Sequence, residues 1–138
     1  MEYLVESHLG GYYISDEDPI IIEAVCEQCF DSDAIVASWT KGNREEEVMS
    51  ISNYLCGMEV NDDSYNKYLE YSGLDQVIEI REDLQSMFFD FKVIVGNLNE
   101  SGYIDSGVAD AIYDIISAKK DEWFAYINEV PYVKVLTR

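Results

Sequence analysis

The sequence predicts an α+β protein: a small antiparallel β unit over residues 1–40, packed on a helical bundle formed by residues 41–138. Three observations predict it. β-Branched and aromatic residues fill the N-terminal part in short runs broken by Gly, Asp and Pro. From Asn43 onward the apolar residues recur every three or four positions, the period of a helix with one buried face. The chain has 138 residues, 48% of them hydrophobic, which suits a single domain with one core.

Each element has its own signal. Glu2 to Ser7 and Gly11 to Ser15 are β-like runs joined through His8, Leu9 and Gly10. The Gly10-Gly11 pair tolerates the positive φ that a tight hairpin needs. Asp16-Glu17-Asp18-Pro19 reads as a turn. Ile20 to Val25 reads as a third strand and Ala34 to Trp39 as a fourth. Asn43 is a helix N-cap signal, and Glu45, Glu46 and Glu47 suit the positive end of the helix dipole. Val48, Ile51 and Leu55 then share a face. A short helix covers Asp63 to Tyr71. The clearest period runs from Leu74 to Leu98, with Ile78, Leu84, Phe88, Phe91 and Val95 among its apolar positions. A last helix opens near Asp105 or Ser106, carries Val108, Ile112 and Ile116, and either continues or restarts through Trp123 and Ile127. Pro131 ends it, and Tyr132 to Leu136 reads as a short final strand.

Charge excludes several functions. Nine basic residues face 28 acidic ones, giving a net charge of −19 and a pI near 4.1. A phosphate backbone requires a basic face, so direct nucleic-acid binding is disfavoured, as is an anionic membrane surface. No run is long enough to span a membrane, and the first residues lack a basic region followed by an apolar one. The expected compartment is therefore the cytoplasm, where thiols stay reduced. Three cysteines also fit a disulfide framework poorly.

The sharpest chemical motif is Cys26-x-x-Cys29. Two thiolates at this spacing grip one zinc ion, because the turn points both sulfurs inward. His8 and Cys56 would complete a Cys3His structural site, and Asp31 or Asp33 are alternatives to Cys56. A redox role fits less well: nearby acids raise a thiol pKa, and a strand rather than a helix follows. Residues Asn97 to Val108 share the outline of a calcium-binding loop. Asn97 replaces the expected Asp, and Val108 replaces the bidentate Glu, so the segment reads as a helix–turn–helix connection. A single histidine and no phosphate loop give no recognisable catalytic machinery.

The acids themselves remain as candidates for partner binding. They cluster at Asp16, Glu17 and Asp18, at Glu45, Glu46 and Glu47, and at Asp62 and Asp63. A solvated surface explains most charge runs, but −19 exceeds the magnitude of about 2–8 that solubility of a small domain calls for. The excess predicts a negative field aimed at a basic cleft on another protein. Tyr12, Tyr13, Tyr54, Tyr65, Tyr68 and Tyr71 are available as contact area, with several of them needed for the core.

His8-Leu9-Gly10-Gly11-Tyr12, followed by Cys26-Glu27-Gln28-Cys29 and Asp31-Ser32-Asp33, resembles the N-terminal part of small proteins from Gram-positive phages and mobile elements. Phe30 stands where those proteins often carry glycine. Small, very acidic proteins of that kind resemble phage-encoded anti-CRISPR proteins. The resemblance implies a stoichiometric, non-catalytic inhibitor in the bacterial host cell. Its partner would be a type II CRISPR effector nuclease, met at a basic nucleic-acid-handling surface. It covers about the first forty residues and carries over nothing to the helices. A small metal-dependent enzyme and a general acidic interaction module are the alternatives.

Overall fold

A three-stranded antiparallel sheet and four helices make up the described part of the computed structural model, which covers residues 1–7, 9–17 and 33–129. The strands are β1 (Glu2–Glu6), β2 (Tyr12–Ser15) and β3 (Ala34–Trp39). The helices are α1 (Arg44–Cys56), α2 (Asp62–Ser72), α3 (Val77–Glu100) and α4 (Ser106–Glu129). This is the expected α+β arrangement. The expected strands at 20–25 and 132–136 lie outside the described residues.

The sheet order is β2-β1-β3. Tyr3 faces Ser15 on one side and Ser38 on the other, and the register with β3 shifts between Leu4 and Val5. The hairpin between β1 and β2 closes where the glycine pair predicts it. Ser7 N–H donates to Gly11 O, and Gly10 and Gly11 have φ of 95° and 82°. β1 is covered on both faces. Leu4 joins the core shared with the helices, and Val5, pointing the other way, is fully buried as well.

Helix boundaries follow the capping chemistry. Asn43 Oδ1 accepts from Glu46 N–H, while Asn43 Nδ2 donates to Glu46 Oε2, a reciprocal cap on α1. Asn61 caps α2 by accepting from Ser64 N–H at 2.9 Å. Gly73, at φ 69°, ends α2 in the left-handed conformation, where its N–H donates to Leu69 O. α3 begins at Val77 rather than Leu74, because Gln76 is still extended at ψ 129°. α4 runs unbroken to Glu129, since Ile112, Ile116, Trp123 and Ile127 keep one buried stripe through the charged stretch 119–122.

The core lies between the sheet and the α3–α4 hairpin. Leu4 and Trp39 of the sheet meet Ile51 and Leu55 of α1, and the cluster continues through Leu84 and Phe88 of α3 to Ile112 and Ile116 of α4. One expectation is corrected here. Ile78 is not a core residue of α3 but is 72% exposed, and Ile80 is buried in its place. Ile80, Leu84 and Phe88 are spaced four apart, so they define the buried stripe, and a residue two positions before Ile80 falls on the opposite side. No helix among the described residues is long and apolar enough to cross a membrane.

Candidate docking surfaces

The expected zinc ligands fall mostly outside the described residues: His8, Cys26, Cys29 and Asp31 are all in this group. Cys56 is described. It lies in the last turn of α1, within the core, and burial pushes its thiol pKa up. Asp33 accepts from Tyr13 Oη at 2.6 Å. Among the described residues no group of three or more His, Cys, Asp or Glu side chains is placed to hold a metal ion.

The segment 97–108 is a helix–helix connection, in line with its departures from a calcium loop. Asn97 and Asn99 lie in the final turns of α3, and Asn99 Nδ2 donates to Ile104 O at 3.0 Å. Gly102 makes the turn at φ 80°, and Ile104 is buried under it. Asp105 accepts from Val108 N–H and takes a two-pronged contact from Arg44. Its oxygens are thus already engaged in capping α4 and tying it to α1.

The acidic clusters separate into two places. α1 is a 13-residue helix, hence about 20 Å long. Glu45, Glu46 and Glu47 stand at its start, whereas Asp62 and Asp63 open α2 beyond its end. Asp16 joins the first place through Lys41 Nζ at 3.0 Å, and that ammonium holds its carboxyl below the usual range. Glu2 and Asp105 also act on Glu47. Burial first, then repulsion from those two carboxylates, raises the Glu47 pKa. Several of these acids serve the fold. Glu46 accepts from Thr40 and Asn43, and Asp62 accepts from Tyr126 Oη. Glu17, Glu45 and Asp63 are exposed, and Asp18 is outside the described residues.

With so few lysines and arginines, tyrosine supplies many of the donors to carboxylates. Tyr12 and Tyr54 both reach Glu6 Oε2 at 3.1 Å, and their hydroxyls meet at 2.9 Å. Tyr68 donates to Asp83. A phenol O–H on a carboxylate is a charge-assisted bond that adds no positive charge to the surface. Burial, then these partners, raises the pKa of Tyr54, Tyr68 and Tyr126 well above the usual phenol value. Tyr65 is a core residue, stacked edge-on with Tyr126 at 5.3 Å.

The feature that sequence reasoning missed lies along α3. Tyr68, Tyr71, Leu74, Asp83, Met87 and Asp90 line an open groove of about 700 Å3 between the end of α2 and the first half of α3. It shares Ser86 and Asp90 with a second depression of about 400 Å3, lined also by Glu82, Gln85 and Phe89. No Lys or Arg is among the described residues lining either. Tyr71 is 94% exposed and Phe89 65% exposed. The available signal was the period itself: Ile78 and Phe89 fall off the stripe set by Ile80, Leu84 and Phe88.

No protein-family model, curated protein or solved structure matches the chain.

Proposed function

We propose that this chain is an acidic, non-catalytic binding protein that docks on a basic, nucleic-acid-handling surface of another protein. A type II CRISPR effector nuclease is the partner implied by the N-terminal resemblance. One observation carries the reading: the α2–α3 groove and the depression adjoining it combine the carboxylates of Asp83 and Asp90 with the exposed rings of Tyr71 and Phe89, without a lining cation among the described residues. Aromatic rings provide contact area at an interface, and the surrounding negative field favours a basic counterpart. The net charge of −19 extends that field over the whole molecule and speeds encounter.

The proposal includes zinc as a structural ion held by Cys26 and Cys29, with His8 as a third ligand. Cys56 completes the set, with Asp31 or Asp33 as the alternatives. In this reading the metal stiffens the β unit and takes no part in binding chemistry.

The test is DNA cleavage by a guide-loaded type II nuclease with this protein added beforehand. Inhibition that saturates near one inhibitor per nuclease, with the inhibitor recovered intact, is the expected result. Undiminished cleavage at a large excess, across nucleases of that type, overturns the nuclease assignment.

A further inference from the structure

We propose that the solvent face of α3 is a docking site for a basic amphipathic helix of the partner. This inference rests on the reading of the chain as an acidic docking protein and names the element that recognises it. Ile78, Glu82, Gln85, Phe89 and Val93 follow one another at steps of four, three, four and four, which places them on a single stripe. The stripe runs from Ile78 to Val93, about 22 Å of helix. It lies on the side of α3 opposite the buried Leu84 and Phe88.

A single exposed apolar residue is ordinary, whereas several aligned on one face form a patch. Ile78 is 72% exposed, Phe89 65% and Val93 43%. Tyr71, nearly fully exposed at the end of α2, rims the adjoining groove. An amphipathic helix binds such a face through anchors three or four residues apart. A little over four turns, by the ~5.4 Å pitch, would cover the distance from Ile78 to Val93.

Charge selects the occupant. Glu79, Asp83 and Asp90 run along one flank of the stripe, and Glu82 interrupts it. Arg81, which donates to Asn128, and Lys92 lie on the other flank, so the acidic border is the one beside the α2–α3 groove. The depressions beside Phe89 carry the carboxylates of Glu82, Asp83 and Asp90 among apolar Leu74 and Met87. A second copy of this chain would bring another −19 to the contact, so self-association is opposed over long range. A helix with apolar anchors and lysine or arginine flanks satisfies both the stripe and its acidic border.

The probe is a labelled peptide of about 18 residues with Leu and Lys in helical period, compared with a scrambled peptide of the same composition. Binding is read by fluorescence anisotropy, and the mass of the protein alone by sedimentation. The patterned peptide is expected to bind at least about tenfold more tightly than the scrambled one. I78A/F89A should remove that preference, leaving only the weak, salt-sensitive binding of the scrambled peptide. E100K/D110K, beside the α3–α4 turn, should preserve it. Both altered positions of I78A/F89A are exposed, so an unchanged melting temperature excludes unfolding as the cause. Equal binding of both peptides overturns the proposal, and so does a preference that survives in I78A/F89A. A dimer that I78A/F89A dissolves overturns it in favour of a second copy. None of these readouts uses a nuclease. Failure of the nuclease assignment therefore leaves this result standing, and the reverse also holds.

Discussion

Arg44 reaches Asp105 across 61 residues of sequence, Nη1 to Oδ2 at 2.5 Å and Nη2 to Oδ1 at 2.9 Å. The fork joins the first turn of α1 to the start of α4. Gly107 leaves the room for it, because a Cβ there would lie 2.7 Å from Arg44 Nη2. In a chain with nine bases, this arginine serves the fold rather than neutralising the surface.

The balance of these carboxylates predicts the acid side of the stability profile. Glu47 has a folded pKa raised above its ordinary 4.5, so the folded state binds its proton more readily and stability rises as pH falls from neutral toward that value. Asp16 and Asp105 have folded pKa values lowered below their ordinary 3.8 by Lys41 and Arg44. Their contribution is complete above 3.8 and is lost as pH falls further. Melting temperature should therefore pass through a maximum in mildly acidic buffer. Glu47→Gln should raise the neutral-pH value and flatten the slope above the maximum. A monotonic fall from pH 7 downward would contradict this balance.

The alkaline side depends on the tyrosines. Tyr12, Tyr54, Tyr68 and Tyr126 have folded pKa values above the ordinary 10.0. Stability from these phenols is complete below pH 10 and is lost as pH rises through the folded values. Ultraviolet titration should show these four tyrosines ionising only as the protein unfolds, above the ordinary phenol range. Tyr68→Phe should cost about 1 kcal/mol in denaturant melts, the usual net value of one hydrogen bond. A single titration step for all tyrosines would refute the pairing.

The fold has separable supports. Phe88 is 1% exposed and stacks edge-on with Phe91 at 5.5 Å. Phe88→Ala should cost about 3–5 kcal/mol, the range for emptying an aromatic core position. Asn61→Ala removes the α2 cap and should cost about 1 kcal/mol. Chemical denaturation checks both, and equal losses would contradict the larger share assigned to the Phe88 core position.

Much of this was legible in the residues. The Gly10-Gly11 hairpin, the Asn43 cap with its three glutamates, and the α3–α4 hairpin follow from local chemistry that tertiary contacts did not override. The placement of Ile78 was not legible in the same way. An apolar residue next to a helical stripe looks like core until Ile80 shows which side is buried. The acidic clusters were visible, but their engagement was not. Glu46 and Asp62 meet donors from Thr40 and Tyr126, and the Tyr126–Asp62 contact joins residues 64 positions apart, which no local pattern encodes.

Zinc content provides a separate check on the β unit. Protein purified without chelator is expected to carry about one zinc per chain. Cys26→Ser and His8→Ala should lose it. Cys56→Ala should lower stability, because that thiol packs in the core, and metal retained in that variant would assign the fourth position to Asp31 or Asp33. Metal-free native protein would remove zinc from the proposal and leave the docking surface untouched.

Electrostatic docking on a basic protein surface requires an affinity that salt screens. The most direct measurement is the affinity for a type II effector nuclease between about 0.1 M and about 1 M salt, over which the Debye length falls from about 10 Å to about 3 Å. The wild type is compared with a variant carrying Glu82→Lys, Asp83→Lys and Asp90→Lys. The account predicts affinity that falls steeply with salt, and a variant that binds weakly at low salt and loses most of the salt dependence. Salt-independent binding, or a charge-reversed variant that binds as well as the wild type, would contradict it.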